Sequence, residues 1–145
     1  MKEGLGMRGT IHHIEFYVKD LAVSRAFYQS LLGKLSYQLY QEWEQGFSFK
    51  LGDTYLVFVQ VEEPYQKNGY HRKNIGLNHL AFSVDSYREV DELREYLLKH
   101  SVPLLYDEKY PFAGGEQHYA VFFEDPDRMK LEVAVRNTEL LEGES

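Results

Sequence analysis

The sequence predicts an α+β protein built from two βαβββ units, and three observations carry that prediction. The hexad His13-Ile14-Glu15-Phe16-Tyr17-Val18 returns as His79-Leu80-Ala81-Phe82-Ser83-Val84, at an offset of 66 residues. Each hexad alternates like a strand and is followed by helical apolar spacing, over 21–33 and 87–100. Beyond each helix come three further apolar runs of strand character, separated by turn residues. The same offset carries Phe27 onto Leu93 and Leu31 onto Leu97, inside the two helices. A length of 145 residues suits one domain, or two small modules sharing a core.

In chain order, the first strand is the His13 hexad and the first helix follows it. Strands are then expected over 36–40, 47–51 and 55–61, with Gly52-Asp53-Thr54 as the turn between the last two. A polar stretch containing Pro and Gly, 62–74, reads as a linker. The second unit, 75–135, repeats the plan, with later strands over 102–106, 119–123 and 130–135. Its closing turn is Asp125-Pro126-Asp127, where proline fixes φ and the aspartates favour local hydrogen bonds. A longer loop, 107–116, holds Pro111 and Gly114-Gly115. Residues 1–10 and 136–145 read as loose tails.

Composition narrows the function. The chain is 43% hydrophobic and 27% charged, which supports a packed globule and excludes a disordered chain. No run approaches the roughly 20 apolar residues of a membrane span, and the N-terminus lacks the apolar core of a signal peptide. With no cysteine, disulfides, thiolate metal sites and cysteine nucleophiles are ruled out, and a cytoplasmic setting is expected. A net charge of −7 argues against nucleic acid, whose phosphates demand a basic face. Small ligands, metals and other proteins remain.

Alternation then sorts the strand side chains onto two faces. Ile14, Phe16 and Val18 form an apolar face, on which His12 also falls, leaving His13, Glu15 and Tyr17 opposite. Leu80, Phe82 and Val84 likewise leave His79 opposite. Leu131, Val133 and Val135 leave Glu132 opposite. Val57, Val59 and Val61 in phase put Phe58 and Gln60 on the other side. If the units assemble into a curved sheet, His13, Gln60, His79 and Glu132 converge inside it. Two imidazoles and a carboxylate suit zinc, nickel, manganese or iron(II), with positions left open for water and substrate. A lone strand histidine is more commonly a half-exposed residue than a ligand, and a lone glutamate a solvated one. The shared repeat phase brings a divalent metal site level with that reading, and the wide sequence separation of the ligands leaves both open.

The pieces IHHIEFYVKDLAVSRAFYQSLLG (11–33), GLNHLAFSVD (76–85) and FFEDPDRMKLEV (122–133) resemble the vicinal-oxygen-chelate superfamily, also called the glyoxalase/bleomycin-resistance/extradiol-dioxygenase superfamily. The resemblance implies paired βαβββ modules forming a cupped mixed sheet of about eight strands, with helices outside and a divalent metal within. It places metal ligands at His13, His79 and Glu132, and a fourth metal or substrate position at Gln60. Arg128 stands where the closing turn of the family usually has glycine. Gln60 brings no charge where glutathione-dependent glyoxalases often carry a carboxylate, which argues against their specific activity.

The resemblance further implies a metal-dependent lyase, isomerase or epimerase that stabilises an enediolate or oxyanion of a small oxygen-rich substrate. Glu132 would serve as both ligand and base, with Gln60 beside it. Tyr17 and Phe58, on the strands, and Tyr110 and His118, in the loop, are the candidate substrate contacts. A ligand-sequestering protein without catalysis, a thiol transferase and a dioxygenase are the alternatives within the superfamily. No nucleic acid or membrane partner is expected, and a homodimer is. His71-Arg72-Lys73 offers an anion contact or a solvated loop, and His118 a substrate contact or a surface residue.

Overall fold

The computed structural model describes residues 6–136, so half of the first expected tail and all but one residue of the second lie outside the described residues. The chain divides into two compact units between Asn68 and Gly69. Together they hold eight strands in two four-stranded mixed sheets with helices, the glyoxalase-like α+β architecture.

The first unit contains β1 (His13–Val18), α1 (Leu21–Lys34), β2 (Gln38–Trp43), β3 (Gly46–Leu51), β4 (Thr54–Gln60) and a short α2 (Glu63–Gln66) within the expected linker. The sheet order is β1-β4-β3-β2, with β1 parallel to β4 and the other pairs antiparallel. A right-handed helical crossover is the usual way to join parallel neighbours, and α1 supplies the helix here. Asp20 starts it by accepting from the N–H groups of Ala22 and Val23 at 3.1 and 3.3 Å. The helix ends where Ser36 takes a φ of 74° and Tyr37 N–H returns to Leu32 O at 2.9 Å. That left-handed residue delays β2 to Gln38, two residues later than the apolar run suggests.

Packing in the first unit is aromatic. Phe58 is wholly buried, stacked on Tyr28 of α1 at 4.1 Å and on Phe16 and Phe47 at 5.1 Å each. This corrects the face assigned to β4, since Phe58 and Gln60 lie on the helix side with Phe16 and Val18, their partners in the ladder. The stretch Tyr-Leu-Val-Phe-Val-Gln is apolar on both sides, so alternation alone has no contrast to orient it. His12 also departs from expectation. It precedes β1, and its ring meets His13 and Tyr55 rather than the helix layer.

The second unit contains β5 (His79–Val84), α3 (Tyr87–Lys99), β6 (Leu104–Leu105), β7 (Ala120–Glu124) and β8 (Lys130–Val135), in sheet order β5-β8-β7-β6. Ser86 caps α3, accepting from Glu89 N–H at 3.2 Å, while Glu89 Oε1 accepts from the N–H of Asp85, one residue before the cap, at 3.0 Å. Val90, Leu93 and Leu97 bury one stripe of the helix, which packs over β7 and β8. β6 is only two residues long, because Tyr106 adopts a left-handed φ of 56° and turns the chain into a 3₁₀ turn. In the Asp125-Pro126-Asp127 turn, Asp125 Oδ1 accepts from the N–H groups of Asp127 and Met129, both at 2.8 Å. Arg128 sits there at a φ of 67°, the conformation that makes glycine the usual occupant. Among the described residues no helix is long and apolar enough to cross a membrane.

Candidate active site

The second unit assembles a histidine–glutamate–histidine cluster on the face of its sheet away from α3. β5 and β8 run parallel with Ala81 opposite Glu132, so His79 and Glu132 emerge on the same face, one step apart. Glu132 is 4% exposed, and Oε1 lies 3.0 Å from His79 Nε2. The other oxygen, Oε2, is in contact with Nε2 of His118, from the loop before β7. A carboxylate this buried requires partners that offset its lost hydration, and the two imidazoles provide them.

The far side of the His79 ring is also held. Nδ1 lies 2.7 Å from Asn78 Oδ1. When Nδ1–H donates to that carbonyl, a neutral ring turns a bare Nε2 lone pair toward the Glu132 carboxylate. Either a ring proton or a metal ion can stand between the two atoms at 3.0 Å. Imidazole nitrogen and carboxylate oxygen are donor types that a divalent ion takes. As the side chains stand, no group of three or more His, Asp or Glu residues is set to hold one among the described residues, because the imidazoles close on separate oxygens of Glu132.

The surroundings are mixed. Phe122, in register with Glu132, tilts under His79 with centroids 6.3 Å apart. Lys130, in register with His79, places its ammonium 5.4 Å from the Phe122 ring and 3.1 Å from Tyr106 Oη. Sequence alternation does not single out Asn78, Lys130 or Tyr106. Only the β5–β8 register reveals Lys130, and no pattern in the chain signals the other two.

Tyr110 is not at this cluster, which corrects its expected role in substrate contact. Its hydroxyl donates to Asp91 Oδ1 on α3, and Tyr119 donates to the same oxygen at 2.7 Å. Tyr87 stacks on Tyr119 at 4.2 Å, and Arg94 lies over the Tyr110 ring while pairing with Asp107 through two bonds of 2.9 and 2.8 Å. The loop 107–119 is thus fastened to α3. Alternation explains the sorting, because Tyr119 faces the helix and the preceding His118 faces Glu132.

This clamp has a pH signature. Burial, then the bond to Asp91, raises the Tyr110 pKa above the usual 10.0; the Asp91 bond, then burial, raises that of Tyr119. The unfolded chain ionises these phenols near 10, before the folded one does. Their stabilisation is full below pH 10 and is lost as pH rises toward the folded-state values. We expect the thermal midpoint to fall between pH 9 and 11, and to fall less steeply in Asp91→Asn.

In the first unit His13 stacks on Tyr55, its ladder partner, at 4.9 Å and 7°, with Nδ1 at 2.9 Å from His12 Nδ1. Tyr17 is 63% exposed on that same side. Gln60 belongs to the opposite layer. Its Oε1 accepts from Leu21 N–H at 2.9 Å and its Nε2 donates to Lys19 O at 2.7 Å, so it braces the turn into α1. Phe58, buried beneath α1, is likewise removed from the candidate contacts. The first-unit counterpart of Glu132 is instead Val57, since Glu15 pairs with Val57 as Ala81 pairs with Glu132. Arg72, from the basic triplet, ties the buried Glu124 at 2.8 Å and is a structural residue.

The two sheets have matching strand orders, β1-β4-β3-β2 and β5-β8-β7-β6, the architecture of glyoxalase-like proteins. The sequence profile of the Glyoxalase/Bleomycin resistance protein/Dioxygenase superfamily matches residues 10–133, and the chain belongs to that superfamily. It is 50% identical over 123 residues to the uncharacterized protein YqjT of Bacillus subtilis, covering 85% of this chain and 96% of that one. A crystal structure from Bacillus halodurans, provisionally described as a glyoxalase, is 50% identical with a TM-score of 0.87, covering 89% of this chain and 97% of that one. The lactoylglutathione lyase of Agrobacterium tumefaciens shares the fold at 24% identity and a TM-score of 0.63, over 88% of this chain and 94% of that one.

Proposed function

We propose that this protein is a metal-dependent, glyoxalase-like lyase or isomerase acting on a small oxygen-rich substrate, with His13, His79 and Glu132 holding the ion. The observation that supports this most is the buried Glu132 carboxylate set 3.0 Å from Nε2 of His79, whose Nδ1 is held 2.7 Å from Asn78 Oδ1. A bound divalent ion would polarise a substrate carbonyl and make the adjacent carbon more acidic.

The residues of the chain supply the rest. Glu132 receives the substrate proton on a carboxylate oxygen, since proton transfer needs a base within hydrogen-bond reach. Burial keeps water from competing for that oxygen. Asn78 holds the His79 ring in one orientation, and Phe122 supports it from below. A homodimer completes the proposal, and light scattering after gel filtration tests it.

The primary experiment is elemental analysis of purified protein, followed by reconstitution with zinc, nickel, manganese and iron(II). A screen of methylglyoxal hemithioacetals, fosfomycin with thiols, and catechols then follows. The expected result is one ion per chain and metal-dependent turnover in the screen. A chain that takes up none of these ions refutes the proposal and leaves a ligand-sequestering protein.

A further inference from the structure

Lys130 is a surplus cation on the face of the second sheet that bears His79 and Glu132. By register it stands between His79 on β5 and Glu124 on β7, two residues before Glu132 on β8. The two glutamates beside it are already taken. Glu124 accepts from Arg72 at 2.8 Å, and Glu132 is in contact with His79 and His118. Among the described residues no carboxylate pairs with Lys130. Its ammonium rests over two rings, 4.9 Å from the centroid of Tyr106 and 5.4 Å from that of Phe122, and donates to Tyr106 Oη at 3.1 Å. In a chain of net charge −7, this is a local excess of positive charge.

Tyr106 is held there under strain. Its φ of 56° is one that a bulky side chain keeps only where its surroundings over-determine it. The ring meets Phe122 edge-on at 5.5 Å. Because the lysine donates to Oη, the hydroxyl proton points elsewhere, and among the described residues it has no acceptor. An ammonium and a hydroxyl 3.1 Å apart thus form two adjacent donors with nothing to receive their outward hydrogens. Two oxygens of one anionic group are their complement.

We propose that Lys130 and Tyr106 bind an oxyanion group of the substrate, a carboxylate or a phosphoryl group, and so select small anionic substrates. This rests on the reading that substrate reacts at Glu132, and it names the substrate class. Phe122 joins the two places. Its ring lies 5.4 Å from the Lys130 ammonium and 6.3 Å from the His79 ring, and its backbone is in register with Glu132. A molecule of a few carbons lying across that ring reaches from the donors to the carboxylate. Anchoring one end by charge orients the carbon that faces Glu132.

The test is a chemical-shift titration of isotope-labelled wild type, Lys130→Met and Tyr106→Phe with lactate, glycerol phosphate and neutral lactamide. Lys130→Met keeps an unbranched apolar stem over the rings and removes the charge, while Tyr106→Phe keeps the ring and removes the hydroxyl. We expect an anionic probe to shift the amides of Phe122 and residue 130, and lactamide to leave them in place. Lys130→Met should weaken anion binding at least about tenfold, and Tyr106→Phe about fivefold. The anion that binds more tightly assigns the group as carboxylate or phosphoryl. A wild type that binds neither anion overturns the inference, and an unchanged affinity in either variant overturns the role of that residue. The titration needs neither metal nor turnover. Metal uptake without anion binding therefore removes the oxyanion site alone, whereas Lys130-dependent binding in a chain that takes up no ion keeps it and removes the metal-dependent reading.

Discussion

Glu132→Gln should lower kcat by about 10²–10⁴-fold on the substrate that the screen identifies. The substitution keeps size and shape in a position that is 4% exposed, so the fold has little reason to change. What changes is the chemistry, because an amide cannot take a proton from carbon at neutral pH. It also presents an N–H₂ group toward one of the two imidazole nitrogens that now face carboxylate oxygens. Steady-state kinetics on metal-reconstituted protein, with a circular dichroism melt as the folding control, decides the matter. Activity within threefold of wild type would mean that the base lies elsewhere.

The largest expected effect on stability belongs to Phe58→Ala, which should cost about 3–5 kcal/mol in urea unfolding. Phe58 is fully buried and stacks on three rings, one from α1, one from β1 and one from β3. Removing it opens a void that those rings cannot all collapse into, since each is held by a different element. A domain of ordinary stability has only about 5–15 kcal/mol in total, so the variant should sit close to its unfolding limit. A loss under 1 kcal/mol would show that the rings repack around the gap.

How far the fold can be read from the chain depends on contrast between strand faces. β1 and β5 are legible because each has one apolar side and one bearing histidine. β8 is legible because Glu132 interrupts an aliphatic run. β4 is not, because Tyr55, Val57 and Val59 are as apolar as Leu56 and Phe58, and only pairing with β1 decides which set meets the helix. That single ambiguity put Gln60 and Phe58 on the wrong layer. The loop could not be sorted for a different reason. Tyr110, His118 and Tyr119 are all plausible site residues by type, and their destinations depend on Asp91 of α3 and Glu132 of β8, neither of which is near them in sequence. The Asn78–His79 contact lies between adjacent residues, yet nothing in their order implies it.

Tyr119 and His118 are consecutive and leave the chain in opposite directions, one gripping an exposed helix, the other an interior acid. They therefore act as the two arms of a lever. The anchor of the segment that brings His118 to Glu132 therefore lies on the outer helix, at Asp91.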